Sequence, residues 1–306
     1  MYSLDPSIYE YLMTIVPKDR ILLNEPMKNH ITFRVGGEAK ALIRIESVSQ
    51  LCRIIPYLNS VGEPYYIIGN GSNILVGDLG YNGVILELGS TFNEIRVEDG
   101  FIVAKAGALM SSIAKVAYDN EYTGFEFASG IPGTIGGGVV MNAGAYGGEL
   151  KDVVTEVTVM DAEGQIHTIP NEEMEFGYRT SIIKFRPYTV IEVRISLSGA
   201  KACDIKQKMD ELNSQRRLKQ PLEYPSAGST FKRPEGHFAG KLIMDAGLKG
   251  FTIGGAQVSE KHCGFVINKG NATASDVYEV IREVQKKVKE QFDVNLEPEV
   301  IFLGTF

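Results

Sequence analysis

The sequence predicts an α+β protein of more than one domain, and three observations carry that reading. The chain has 306 residues, more than a single core usually organises. Its first third reads as strand, helix, strand, strand, which defines a small mixed lobe. Its middle third holds short apolar runs separated by turn signals, which argues for antiparallel hairpins.

The elements follow in order. Residues 8–16 are apolar at helical spacing and stop at Pro17. Residues 40–46 alternate and read as a strand. Residues 47–57 read as an amphipathic helix with Leu51, Ile54 and Ile55 inward and Pro56 near its end. Residues 65–68 and 83–88 read as strands. Residues 94–96 and 101–105 flank the turn signal VEDG. A helix is expected over 110–119. Residues 153–160 and 165–169 flank DAEG as a second hairpin, and 181–185 and 189–197 read as two further strands.

The last third opens with a helix over 202–219 that presents Ile205, Met209 and Leu212 on one face. A short helix over 238–246 follows. A longer one over 275–292 is introduced by Thr273-x-x-Asp276 and lined by Val277, Val280, Ile281, Val284 and Val288. Lys286, Lys287 and Lys289 sit near its negative end. Residues 296–302 read as a closing strand.

Composition narrows the function classes. The net charge of −7 argues against broad nucleic-acid binding. Cys52, Cys203 and Cys263 give neither a disulfide framework nor a zinc pattern, and the four histidines form no metal-site motif. The opening residues do not read as a signal peptide, and no apolar run reaches membrane-span length, so a cytoplasmic location is expected. Basic residues cluster late, at Arg216, Arg217, Lys219, Lys232, Arg233 and Lys241. Arg216 and Arg217 read as a solvated helix face. Lys232 and Arg233, in a Gly/Pro-flanked loop, point to an anionic small molecule.

Two glycine clusters are the main functional signal. Residues 129–149 hold eight glycines in twenty-one positions, threaded with Ile131, Ile135, Val139, Val140, Met141 and Tyr146. Glycine costs conformational entropy and admits close backbone approach, so this density fits a packed segment around a polyanionic cofactor better than a linker. The second cluster, Gly69-Asn70-Gly71-Ser72-Asn73, follows the 65–68 strand and offers backbone N–H donors in an anion-binding turn. Neither cluster matches G-x-G-x-x-G or G-x-x-x-x-G-K-[ST], and Ile74 stands where a third glycine would be needed. A Rossmann site and a P-loop are therefore not expected.

Three further segments carry unusual polar residues: YRTS at 178–181, the stretch 219–233, and LEPEV at 296–300. Singly, Arg179 reads as a surface ion pair, Ser229 as a turn residue and Glu299 as a strand-edge charge. Together with TFRVGGEA, GNGSN, SGIPGTIGG, NAGAYGGE, YPSAGSTFKRP and AGKLI, in this order, they make the chain resemble the UDP-N-acetylenolpyruvoylglucosamine reductase family over nearly its whole length.

The resemblance implies a two-lobed FAD-binding region of the vanillyl-alcohol oxidase type over 1–92 and 93–200, with the C-terminal strand returning to the first lobe. It implies a substrate-binding α+β domain over 201–306. It implies NADPH as co-substrate and reduction of an enolpyruvyl group, for peptidoglycan synthesis. The cofactor contacts it implies are Arg34, Gly69, Asn70, Gly71, Ser72, Asn73, Gly130, Ile131, Pro132, Gly133, Gly136, Gly137, Asn142, Ala143 and Gly144. The catalytic residues it implies are Arg179 as cation, Ser229 as proton donor and Glu299 as a second polarising group. Tyr146, Lys219, Lys232 and Arg233 are the implied substrate contacts. The chain resembles the shorter form of the family, without an extra loop closing over the substrate. Two other classes explain part of the pattern: a flavin oxidase of the same cofactor fold, and a flavin-free nucleotide-sugar binding protein.

Overall fold

The computed structural model describes residues 2–306. Its organising layer is a four-stranded sheet whose strands run Ile21–Pro26, Glu38–Arg44, Tyr81–Glu87 and Tyr65–Ile68 in spatial order. The first pair is antiparallel and the other two are parallel. Alternation divides its side chains between two cores. Ile43, Ile45, Val84 and Leu86 face one core, shared with helices α1 (Pro6–Met13) and α2 (Val48–Ser60) and with the middle of the chain. Leu42, Ile68 and Ile85 face a second core, shared with the last third of the chain. A strand buried on both faces reads as a continuous apolar run, and Val84-Ile85-Leu86 in the third of these strands does so.

The middle of the chain forms a five-stranded antiparallel sheet. Its strands Ile95–Glu98 and Phe101–Lys105 close through Asp99 (φ 51°) and Gly100 (φ 83°), the two positive values a tight hairpin turn needs. In the second hairpin, Asp161 Oδ1 accepts from the N–H groups of Glu163 and Gln165. Helix α3 (Met110–Asp119) and the six-residue α4 (Ile135–Val140) pack beside this sheet. Helix α5 (Ala202–Lys219) leads into the last third, where α6 (Ala239–Asp245) and α7 (Ala274–Phe292) meet a three-stranded antiparallel sheet.

Residues 181–185 form no strand. Ile182–Lys184 is a 3-10 turn, because Ser181 is fully buried and ties its Oγ to Val140 O, and Lys184 N–H closes onto Ser181 O. These local bonds replace a ladder. Of the expected 296–302 strand only Ile301–Leu303 pairs in a ladder, parallel to Ile74–Val76. Pro298, which has no N–H, falls in the extended segment before it. The first helix is also shorter than its apolar spacing suggests, running from Pro6 after the Asp5 cap to Met13. The strand Ile21–Pro26 and the last sheet's strands of two or three residues escaped the sequence reading, being polar in part or too short to show a period.

A single carboxylate joins the first sheet's loops to the last third. Asp78 accepts from Ala274 N–H and Ser275 N–H at 2.8 Å each, and from Ser275 Oγ at 2.7 Å. Thr273 Oγ1 takes the Asp276 N–H in the expected capping box. The orphan donors of α7 are thus satisfied, half of them by a distant segment, and the negative charge suits a helix N-terminus. Asp78→Ala should lower stability by about 1–2 kcal/mol, read as a drop in the thermal midpoint, with Asp78→Asn losing less.

Candidate active site

The two glycine loops lie against each other. Asn70 Nδ2 donates to Pro132 O, and a Cβ at Gly69 would sit 2.1 Å from Thr134 Oγ1. Gly71 stands at φ +57°, with a Cβ position 2.2 Å from His30 O. No side chain fits either place. Thr134 in turn caps α4, its Oγ1 accepting from Gly137 N–H at 3.4 Å.

Next to these loops is a cavity of about 660 Å³, a usual size for a ligand site. Of the expected cofactor contacts, Arg34, Gly69, Asn70, Ser72, Asn73, Gly130, Ile131, Pro132, Ala143 and Gly144 line it. Gly71, Gly133, Gly136, Gly137 and Asn142 lie outside its lining. A Cβ at Gly136 would meet Ala106 at 2.8 Å, and one at Gly133 would meet Met110 Cε at 3.2 Å. Asn142 is buried and spends its amide on Glu149 Oε2, Gly177 O and the Lys151 N–H, so it braces the loop that carries Arg179.

A second cavity of about 490 Å³ adjoins the first, and Arg179, Ser229 and Glu299 line both. Their positions are coupled through the backbone. Buried Thr230 donates its N–H to Gly264 O and accepts from Val266 N–H on Oγ1. Its carbonyl accepts from Glu299 N–H at 2.8 Å. One residue therefore fixes both Ser229, its neighbour, and Glu299. Asn73 Nδ2 donates to Glu299 O at 3.1 Å, tying the first glycine loop to the same segment.

Arg179 Nε lies 2.9 Å from Glu299 Oε1. The contact is an ion pair without an aligned hydrogen bond, since the buried Nε–H has no hydrogen-bond acceptor. Arg179 Nη2 donates to Gly144 O at 3.4 Å. Burial pushes the Glu299 carboxyl above its usual range, and Arg179, Lys184 and Lys232 only partly oppose this. A carboxyl whose acid form is favoured by burial, beside a donor without an acceptor, can polarise a bound anion.

The expected substrate contacts separate. Tyr146 lines the first cavity and Arg233 the second, where its guanidinium lies 4.0 Å from the centre of the Phe238 ring. Lys232 lines neither and pairs with Glu297. Lys219 is exposed at the end of α5 and lines neither cavity. Arg216, one turn earlier, lines the first cavity, contrary to its reading as a solvated face. It forms no ion pair among the described residues, donates to Gln220 Oε1 at 3.0 Å, and is disfavoured as a cation by burial. A bound anion would relieve that cost.

The sequence also gave no sign of a charged network in the cavity wall. His30 sits between Glu25 at 2.9 Å and Glu87 at 3.1 Å, and Arg44 meets Glu87 at 3.2 Å. The Glu87 hydrogen bond raises the His30 pKa above its usual value, more than burial lowers it. Burial pushes Glu87 up, but His30 and Arg44 together carry it below the usual range. The four residues are spread between positions 25 and 87, with no motif to mark them.

The wall suits an elongated, anionic, FAD-like group. Its loops approach closely through glycine, Arg216 lacks a counter-ion, and the cavity adjoins the Arg179–Glu299 pair. The comparisons agree with that chemistry. Residues 39–170 match the FAD binding domain family, and residues 220–303 match the C-terminal domain family of UDP-N-acetylenolpyruvoylglucosamine reductase. These define an FAD-binding oxidoreductase. The reductase of Caldanaerobacter subterraneus subsp. tengcongensis is 52% identical over 97% of this chain and 98% of its own. That of Clostridioides difficile is 50% identical, covering 97% and 98%. The solved reductase of Thermus caldophilus matches with a TM-score of 0.79 and 34% identity, covering 92% of this chain and 98% of its own. The chain belongs to the UDP-N-acetylenolpyruvoylglucosamine reductase family. Among the described residues, no helix is long and apolar enough to cross a membrane.

A histidine whose pKa is raised on folding contributes stability that is fully present below its unfolded value, 6.5, and is lost as pH rises through the folded one. His30→Asn should therefore lower the melting temperature most at mildly acidic pH. The gap to the parent protein should narrow as the solution is made alkaline.

Proposed function

We propose that this protein reduces the enolpyruvyl group of UDP-N-acetylglucosamine enolpyruvate to the lactyl ether of UDP-N-acetylmuramate, with NADPH as reductant, for peptidoglycan synthesis. The observation that carries this reading is the meeting of Arg179, Ser229 and Glu299 where the two cavities adjoin. The first cavity suits FAD, held by loops 69–73 and 129–132 and by Arg216. The second suits the nucleotide sugar, with Arg233 on its wall. Bound FAD would supply the redox chemistry, taking a hydride from NADPH and giving it to the enolpyruvyl double bond.

The protein's own groups handle the charge and the proton. Addition of hydride to the enol ether builds negative charge on the carbon chain conjugated with the carboxylate. Arg179 opposes that charge, and its fork can engage a carboxylate with two donors. Its stabilisation grows as the charge grows, so it lowers the barrier more than it tightens binding. The Ser229 hydroxyl donates the proton that completes the saturated product. A free hydroxyl is a weak acid, and the cations near Glu299 lower the cost of its transient charge. Glu299, with its raised pKa, supplies a neutral carboxyl that donates a hydrogen bond to the developing enediolate.

Anaerobic spectroscopy tests the whole cycle. Flavin bands should bleach with NADPH and return with the enolpyruvyl sugar. Return only with oxygen would favour an oxidase, and a protein without flavin bands even after added FAD would overturn the reading. Ser229→Ala should leave flavin reduction nearly intact and slow reoxidation by the sugar about 10²–10⁴-fold in stopped-flow absorbance. Reoxidation should also slow as pH rises through the raised pKa of Glu299, because the neutral carboxyl is lost there. Glu299→Gln, which cannot ionise, should lack that limb.

A further inference from the structure

Lys184 has no individual task in the mechanism above, yet its ammonium is close to Arg179, Lys232, Glu297 and Glu299. It ends the 3-10 turn Ile182–Lys184, which buried Ser181 anchors to Val140 O at 2.9 Å. From there Lys184 Nζ donates to the Arg179 carbonyl at 2.6 Å. Arg179 stands at φ +56°, a left-handed conformation that a side chain other than glycine's disfavours. Something must hold it there.

The groups facing Lys184 come from three segments. They are Arg179 on its own segment, Lys232 from the segment before α6, and Glu297 and Glu299 from the extended segment after α7. Lys232 is taken by Glu297 and Arg179 by Glu299. Lys184 lies within ion-pair distance of no carboxylate among the described residues, so its charge acts at a distance and its hydrogen bond goes to the backbone.

We propose that Lys184 is a positioning residue for the reduction, clamping the Arg179 backbone in its left-handed turn so that the guanidinium meets Glu299 and the substrate carboxylate. The proposal rests on the reading of Arg179 and Glu299 given above. The clamp needs only a donor at the Arg179 carbonyl, whereas the through-space effect of the ammonium on Glu299 needs a positive charge.

The test uses the FAD-loaded enzyme with Lys184→Met, Lys184→Gln and Lys184→Arg, alongside Arg179→Ala. Reoxidation of reduced flavin by the enolpyruvyl sugar is followed by stopped flow across pH. Glu299 is titrated separately by infrared difference spectroscopy against Glu299→Gln, a measurement that needs no turnover. Lys184→Met should slow reoxidation about 10²-fold, the scale on which misplacement of a reacting group is felt. It should also move the Glu299 titration to higher pH, since a cation that favours the carboxylate has gone. Lys184→Gln should recover part of the rate while keeping the shifted titration, and Lys184→Arg should restore both. A Lys184→Met enzyme with parental reoxidation overturns the proposal, whatever its titration. If Arg179→Ala is slow in that experiment, only the role of Lys184 falls. If Arg179→Ala is itself unimpaired, the reading of the site fails and the role of Lys184 with it. Should Lys184→Met fail to fold, Lys184→Gln decides: reoxidation slower than the parent's sustains the proposal and a parental rate overturns it.

Discussion

The site depends on how the extended segment before the last strand is held. Its two sides are bound by different parts of the chain. Glu299 N–H goes to the carbonyl of Thr230, while Glu299 O accepts from Asn73 Nδ2 and Ile301 N–H goes to Asn73 O. The cofactor loop, the serine segment and the buried carboxylate are thereby fixed to one another by backbone bonds. Side-chain packing then needs to set only rotamers. A hydroxyl, a carboxyl and a guanidinium drawn from three remote segments would otherwise carry the positional error of three loops.

The electrostatics of that arrangement are deliberately incomplete. Burial raises the Glu299 pKa above its usual range, and Arg179 beside it lacks an aligned acceptor for its Nε–H. A fully satisfied ion pair would be tighter and less useful, because its donors would already be spent. Arg216 at the other cavity has the same character, a half-buried cation without a counter-ion. Both positions favour an incoming anion over the empty state. On the far wall, His30 and Arg44 balance Glu25 and Glu87 in a closed network, which is a framework device and not an open one.

Much of this was legible in the sequence, for physical reasons that differ by element. The helix Ala274–Phe292 announced itself through a capping box and a long apolar stripe. The loops 69–73 and 129–133 were visible because glycine at such density has few scaffold uses. Arg179, Ser229 and Glu299 were reached only through the resemblance, since each alone has an ordinary surface reading. Residues 181–185 misled, because an apolar run of that length fits a strand or a turn equally well and only the burial of Ser181 decides. Arg216 lines the first cavity and Lys219 lines neither, because helix phase alone does not tell which side of a polar helix meets a cavity. His30 and Lys184 were invisible: each acts through partners that the fold, and not the spacing, supplies.

The bond between Asn73 and Glu299 spans 226 residues of chain. At ordinary translation speeds, that separation corresponds to roughly 10–45 s between the appearance of the two partners on the ribosome. Throughout that interval the first glycine loop has emerged without the segment that braces it, and the parallel partner of Ile74–Val76 does not yet exist. A nascent chain can therefore build the first sheet and the hairpins of the middle sheet early, but the site is complete only once residues 299–303 have emerged. Until then the 69–73 loop lacks the Glu299 segment with which it lines the first cavity.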